Sequence, residues 1–484
     1  MVKSKALHHI ILAVGITALY IMFRAAGLNE KQELIQGIMT ILLLEGVGAI
    51  VYKKYKGILE KEDIVKAILY AGLVMRIGYM LYNSFTIRSH DIGDISIDGY
   101  GHAAYILKLL KTGHLPGTNQ VQLYQQPLFY ILGSGVSWGV NGILKCNDPY
   151  YLVDAAKLVS CFASCGTLLA ANDFIEVSGV KHNGKIIALS LVAFLPDFYL
   201  VGGRVNCDAL AGFFMTLAAL YTFYWYKNRS WRNTICLAVI YGLGMMTKIS
   251  CATLALFTAG VFIKVLYDNV REKGALQLLI KYGVFGIISL PLGLWYSLRN
   301  YRLFGQALTY VPRISEKLPI YTGNRSIIQR LFYIDIHNLF STPYADPWKD
   351  YSLPVYLVKS ALFGEFKYAV VDWIPIILLF SGVILVSMVV ASLVWQLRKN
   401  RSDLYGDFCM IIMLIMYVST LLFYEKFPFG CSMDFRYLVF LSIPAGIALG
   451  KYYEDGLGKA RKGICEYAII IYTIMSCIMY LTIK

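Results

Sequence analysis

Charge is scarce in this sequence. Only 15% of its 484 residues are Asp, Glu, Lys or Arg, where a soluble domain carries about 25%. Too few polar residues are present to cover a water-facing surface, which excludes an ordinary soluble enzyme, a disordered tail and a coiled coil. Metal-ligand spacings are missing as well. The ten cysteines form no CxxC, and the seven histidines join no Cys/His set of zinc spacing. Cys161 and Cys165 share a helix face, which reads as packing. No disulfide framework follows, and neither an internal repeat nor a low-complexity linker is present.

Long apolar segments are what the chain has instead. Hydrophobic residues make up 57% of it, in continuous rather than alternating runs, so a polytopic helical membrane protein is expected and a β-barrel is not. Segments of spanning length fall near 7–26, 34–52, 64–84, 151–172, 184–203, 208–226, 233–247, 250–268, 276–297, 371–397, 407–424, 435–451 and 464–483, about 13 transmembrane helices. Lys3 and Lys5 precede the first, which lacks a small-residue cleavage site and reads as an uncleaved span.

The formal net charge is +15, which first suggests an acidic partner such as nucleic acid. The basic residues, however, sit in short clusters between apolar segments, where the positive-inside rule expects them. Lys53, Lys54, Lys56 and Lys61 place one loop in the cytoplasm. So do Lys181 with Lys185, Lys227 with Arg229 and Arg232, Arg271 with Lys273, Arg398 with Lys399 and Arg401, and Lys451 with Lys459, Arg461 and Lys462. The partner is then the lipid bilayer, not nucleic acid. This register requires the Gly-rich segment from Gln126 to Leu144 to lie at or dip into the outer interface. If it crosses, parity inverts for part of the middle. Two large segments face outward, 85–150 and 299–372, and the cytoplasmic loops are too short to house a site.

The first outer segment holds His90, Asp91, Asp94, Asp98 and His102 within thirteen residues. A carboxylate at a membrane interface can take a proton from an incoming hydroxyl or amine. The bland alternative is a solvated Asp/Gly loop; the amphipathic helix expected directly after it, Gly101 to Lys111, favours function. That helix stops at Thr112-Gly113, with Pro116 beyond, and is too short to span. The next stretch, Tyr124-Gln125-Gln126-Pro127-Leu128-Phe129-Tyr130, reads by itself as a structural aromatic cluster.

Taken in order, these segments resemble a family. An acidic loop after a span, then "GYGHAAYILKLLKTGHLP", then "YQQPLFYILG", looks like the start of a polytopic GT-C glycosyltransferase. The resemblance is to the branch that holds protein O-mannosyltransferases and lipid A aminoarabinose transferases. "FLPDFYLVGGRVNCDALAGFFMTLAALYTFYW", "AVIYGLGMMTKIS", "PLGLWYSLRNYRLFGQALTYVP" and "MDFRY" resemble further segments, over about residues 64 to 450. The resemblance implies a GT-C-type fold with interfacial helices in the first large outer loop. It divides the chain into two extra N-terminal helices (1–63), a catalytic membrane core (64–300, including 85–150), an outer loop or lid (301–370) and C-terminal helices (371–484).

It also implies a reaction. A sugar passes with inversion from a polyprenyl-phosphate-linked donor to an acceptor glycan, lipid or protein on the outer face of a cell membrane, a bacterial plasma membrane by this likeness. A loop Asp acts as base. Counting back from Gly113 puts Asp98 at the acidic position without a gap, but Gly99 follows where many relatives have Glu. Asp91, preceded by His90 and nearer the preceding span, is preferred, with Asp98 kept beside it. His90, Asp94, His102, Tyr124 and Gln126 are the expected substrate contacts in this loop. Gln125 and Gln126 replace the His-Pro or Lys-Pro of relatives, so the cation meeting the donor phosphate must come from Lys248, Arg299, Arg313 or Arg436. A lysine between two apolar stretches favours function for Lys248. For Arg436 with Tyr437, and for Arg299, interfacial snorkelling is an equal alternative. Asn206 and Asp208 read as a sugar or metal site or, by preference, a helix cap. No cofactor is implied with certainty; a divalent metal is left open. The rival reading is a transporter or flippase of lipid-linked sugars, for which Arg76 and Asp197 inside apolar segments speak and the missing repeat does not.

Overall fold

The computed structural model describes residues 2–270, 274–308, 310–399 and 403–484, with side chains from Leu7 onward. Arg271, Lys273 and Arg401, used above for orientation, lie outside the described residues, as do the side chains of Lys3 and Lys5. In chain order the α-helices are α1 (Val2–Ala25), α2 (Gln32–Tyr55), α3 (Lys61–Tyr82), α4 (Gly101–Thr112), α5 (Leu128–Leu144), α6 (Pro149–Asp154), α7 (Lys157–Val177), α8 (His182–Ala193), α9 (Pro196–Gly202), α10 (Asp208–Lys227), α11 (Trp231–Thr247), α12 (Ala255–Asn269), α13 (Ala275–Phe304), α14 (Ile327–Leu331), α15 (Ile336–Ser341), α16 (Leu353–Phe363), α17 (Trp373–Arg398), α18 (Leu404–Lys426), α19 (Ser442–Lys451) and α20 (Lys459–Thr482). Among the described residues there is no strand, only an isolated antiparallel bridge between Tyr321 and Phe429.

Among the described residues, ten helical segments are long and apolar enough to cross a membrane, or eleven if α8 and α9, bent by 43° at their break, form one span. The protein is thus an all-α, multi-pass membrane protein, with fewer spans than the thirteen expected. Segment 435–451 is the clearest difference. It begins as short 3-10 turns, Phe435–Tyr437 and Val439–Leu441, and becomes α-helical only at Ser442. Pro444 explains the start: proline lacks the N–H that a helix interior needs, but fits the first turn. Segment 233–247 is helical in α11, whose 17 residues extend only about 26 Å against a hydrocarbon core of about 30 Å. The segment expected at the interface is α5, also 17 residues.

Two compact units divide the chain, each from three stretches. The first comprises Met1–Gln32, Tyr79–Ala170 and Val201–Arg313; the second comprises Glu33–Gly78, Ala171–Leu200 and Ile314–Lys484. In the first unit α4, α5, α6 and α10 share a core of Tyr105, Ile106, Phe129, Val153, Val205 and Leu210, among others. The same unit buries an ion pair. Asp154 Oδ1 lies 2.6 Å from Lys157 Nζ, and neither side chain is exposed to solvent. Tyr20 donates to Asp154 from 2.6 Å, which ties α1 to the end of α6.

In the second unit small residues let α8 and α19 touch along their backbones, as helices in lipid often do. A Cβ on Gly184 would stand 2.6 Å from the Gly450 carbonyl oxygen. Arg76, fully buried, donates to the carbonyls of Val192 (3.0 Å) and Ala193 (2.6 Å). Those carbonyls end α8 beside its break and lack helical partners. Arg76 therefore holds a broken helix together, a structural role for this buried side chain.

Candidate functional site

The acidic loop folds over the start of α4. Asp91 has a left-handed backbone (φ 54°), as does Gly93 (φ 68°). This turns the carbonyls of Asp91 and Ile92 toward the N–H groups of His102 (3.1 Å) and Ala103 (2.9 Å), while the Asp94 N–H donates to the Tyr100 carbonyl (3.0 Å). The first donors of a helix have no partner inside it, so loop carbonyls do the work that a capping side chain would do. Glycine is required for the fit: a Cβ on Gly93 would stand 1.8 Å from the Tyr100 oxygen. The helix ends as the sequence implies, at Gly113 in a left-handed cap.

Beneath the loop lies a polar network. His102, 4% exposed, meets the Tyr130 hydroxyl through Nδ1 at 2.7 Å. Tyr130 donates to Gln125 Oε1 (3.0 Å), and the Cys207 thiol donates to the same oxygen (3.1 Å). Gln125 Nε2 in turn donates to Gln122. Since Tyr130 gives its proton to Gln125, His102 Nδ1 is the donor toward Tyr130, which fixes the ring's tautomer. Tyr105 stacks on Tyr130 with ring centroids 3.8 Å apart, and its hydroxyl lies 3.0 Å from that of Tyr296 on α13.

An ion pair completes the group. Lys248, just past the end of α11, donates to the Asp208 carboxylate at the start of α10. The Asp208 N–H donates to Asn206 Oδ1 at 3.2 Å, a local turn just before α10, whose N-cap residue is Cys207. Tyr124 senses the whole set. Burial pushes its phenol up to about 12; the Gln125 hydrogen bond and the Lys248 ammonium pull it down, while Cys207 and the Asp91 carboxylate push it up.

The residues named from sequence divide accordingly. Asp91, His102, Tyr124, Asn206, Asp208 and Lys248 come together in the first unit. Asp91, Asp94 and Asp98 are all exposed, and among the described residues no side-chain hydrogen bond joins any of the three to this cluster; Asp91 is tied to it through its carbonyl, which accepts from the His102 N–H. Gln126 donates to Ser297 at 3.5 Å. Arg299 belongs to the last turns of α13, not to a loop. It donates to the Pro116 carbonyl (2.8 Å) and to Asn300 (2.9 Å), while Asn300 donates to the Tyr124 carbonyl (3.2 Å). Arg299 thus pins the segment between α4 and α5. Arg313 is exposed. In the second unit, Arg436 Nε lies 3.3 Å from Asp434 and its Nη2 donates to Tyr437 at 2.9 Å. The two residues form a 3-10 turn rather than the start of a span. His90 is half-buried beside Asp91 in the sequence.

Sequence reasoning missed Gln125, Tyr130, Tyr105, Cys207 and Tyr296. Cys207 stands between two residues that were named, and Gln125 beside a third. The missing information was which of the paired glutamines turns inward. It also missed Arg204, 1% exposed, whose Nε donates to the Arg88 carbonyl at 2.8 Å and braces the stretch leading to Asp91.

No family model and no curated protein matches the sequence. Among solved structures, the chain is similar to ArnT from Cupriavidus metallidurans in the apo state, with 12% identity, 73% of this chain and 72% of that chain covered, and a TM-score of 0.31. It is also similar to ArnT from the same organism bound to undecaprenyl phosphate, with 12% identity, coverage of 82% and 79%, and a TM-score of 0.35. Both are distant likenesses.

Proposed function

We propose that the chain is an integral membrane glycosyltransferase. It moves a sugar from a polyprenyl-phosphate-linked donor to an acceptor at the membrane face that bears the acidic loop. The observation that carries this reading is the convergence of Asp91, Tyr124, His102 and the Asp208–Lys248 pair at the ends of α4, α10 and α11. The order of the sequence segments that resemble the GT-C glycosyltransferases supports it further. Groups that conduct an ion or substrate belong near mid-membrane, and here the polar weight lies at helix ends.

In this reading Asp91 is the base, preferred to Asp98 because its carbonyl is bonded to the His102 N–H at the start of α4, beside the cluster. The acceptor oxygen attacks the anomeric carbon from the side opposite the phosphate. The acceptor proton passes to Asp91, the carbon–oxygen bond to the donor phosphate breaks, and polyprenyl phosphate leaves with the bonding electrons. Inversion follows from the single displacement. Lys248 is the cation assigned in this reading to steady the developing phosphate charge. The clusters of Lys and Arg in the short loops support an outer-face location for the acidic loop.

Two measurements test this. Intact-mass analysis of envelope lipids, glycans and proteins, with and without the chain, is expected to reveal one missing sugar. With the substrate so defined, Asp91→Ala is expected to abolish transfer at normal membrane abundance, and Asp98→Ala to retain it. Full transfer by both single variants and by the double would remove the loop carboxylates from the chemistry. Movement of labelled lipid-linked sugar across proteoliposomes, without transfer, would establish the flippase reading instead.

A further inference from the structure

Residues 327–340 of the second unit carry a surface that no water-facing loop should. Ile328, Phe332, Tyr333, Ile334, Ile336 and Phe340 are all 49–72% exposed in the whole chain. Soluble proteins rarely expose so many large apolar side chains in so short a stretch. The segment is nonetheless firmly seated. Leu331 and Leu339 are buried on its inner side, and Leu331 packs with Leu353, Tyr356 and Tyr424. Ser326 and Gln329 form a reciprocal cap at the start of α14. The outward apolar face is therefore part of the folded structure, not a frayed edge.

Its depth is set by its neighbours. Arg330 donates to the Tyr424 carbonyl at 3.4 Å, and Tyr424 lies in the last turn of the candidate span α18. Tyr344, a few residues past α15, donates to the Tyr368 carbonyl at 3.3 Å, shortly before the candidate span α17 begins at Trp373. The segment therefore sits level with the end of one span and close before the start of another. Exposed Arg325, Trp348 and Lys349 flank it. Basic and aromatic side chains beside an apolar face are what a lipid headgroup region accommodates.

We propose that residues 327–340 are an in-plane membrane anchor. In it α14 and α15 bed their exposed apolar side chains into the leaflet at which α18 ends and α17 begins. The occupant is lipid. A second copy of the chain would have no reason to select the level of the span ends or the basic and aromatic flanks. The inference stands apart from the glycosyltransferase reading, since it rests on no residue of the first unit.

The test uses the full chain in vesicles of zwitterionic and anionic phospholipid, doped with a phospholipid carrying a photoreactive diazirine on its acyl chain. After illumination, adducts are mapped by mass spectrometry. Residues 327–340 are expected to label within about threefold of the exposed apolar residues of α17, and exposed Glu316 and Lys317 to stay near background. Ile328→Asp with Ile336→Asp, both surface changes, is expected to lower labelling of the segment severalfold and to leave α17 unchanged. Labelling of 327–340 no higher than at Glu316 and Lys317 would overturn the anchor. So would chain-to-chain cross-links at these residues in place of lipid adducts.

Discussion

Replacing Lys248 by Met removes the ammonium and keeps most of the stem. Asp208, with 7% of its side chain exposed, then loses a cation whose own side chain is 23% exposed. An exposed pair contributes about 0–1 kcal/mol, and losing one member of a fully buried pair costs about 3–5 kcal/mol. This pair lies between those limits and nearer the second, because the carboxylate is the more buried partner. Lys248→Met is therefore expected to cost about 2–3 kcal/mol, or about 30- to 140-fold in the folding equilibrium. Asp208→Asn is expected to cost less, since it strands the wetter charge. The double variant should return to within about 1 kcal/mol of the parent, because no buried charge is left uncompensated. Denaturation of the purified chain in detergent reads the stability cycle, and transfer from the donor identified by envelope analysis reads the chemistry. If Lys248 also steadies the phosphate, the double variant recovers stability and not transfer. Costs of the two single variants that simply add would refute the coupling, and transfer that returns together with stability would refute the chemical role.

Gly93→Ala is expected to abolish transfer while leaving membrane insertion intact. Its Cβ would meet the Tyr100 oxygen at 1.8 Å in a left-handed backbone, and relieving that costs about 2 kcal/mol or more in the loop; helical circular dichroism beside activity separates the two effects. Lys157→Met is expected to cost about 3–5 kcal/mol by thermal inactivation, because Asp154 has no solvent to turn to, and adding Asp154→Asn, which removes the stranded charge but keeps an acceptor for Tyr20, should recover part of it. Asp403 gives a pH test. Burial raises its carboxyl, but the hydrogen bond and charge of Lys451 outweigh that, so it lies below its usual 3.8 in the folded chain. Its stabilising effect should be complete above about pH 4, be lost as pH falls through the lowered value, and be much reduced in Lys451→Met, where only the Gly406 N–H and the Lys399 charge still hold the carboxyl down.

Legibility followed the range of the interactions. The start and stop of α4 could be read to within a residue, because amphipathic spacing and Gly113 are local signals. Segment 435–451 could not. Apolar length says nothing of where a helix begins, and Pro444 restricts that only once the 3-10 turns before it are known. Residue type singled out Asp91, His102, Asp208 and Lys248 as candidates, since polar groups amid apolar sequence are conspicuous, and the family resemblance supplied the roles expected of Asp91 and Lys248. Gln125 stayed hidden because its importance lies in three partners, Tyr130, Cys207 and Gln122, of which Cys207 is 82 residues away. Arg299 was assigned to a loop because 30 residues of α13 exceed a span, and the excess turns are continuous helix.

The Asp208–Lys248 pair also constrains how an anion can bind. The connection between α10 and α11 is three residues long, so the first residue of α10 and the residue after α11 must share an end. A carboxylate at a helix N-terminus and a cation at a C-terminus each suit the helix dipole, so the pair is satisfied without any ligand. A phosphate reaching Lys248 must then share it with Asp208 or displace it, and part of the attraction is already spent. Asp208→Asn is accordingly expected to tighten binding of polyprenyl phosphate to the full chain, even as it weakens the fold. Asp91→Asn leaves the ion pair itself intact and is expected to leave that binding nearly unchanged while abolishing transfer. Titration calorimetry in detergent checks both. Weaker binding in Asp208→Asn would mean that this carboxylate orients the ligand or the lysine rather than competing for it, and Lys248 would then act only as part of the pair.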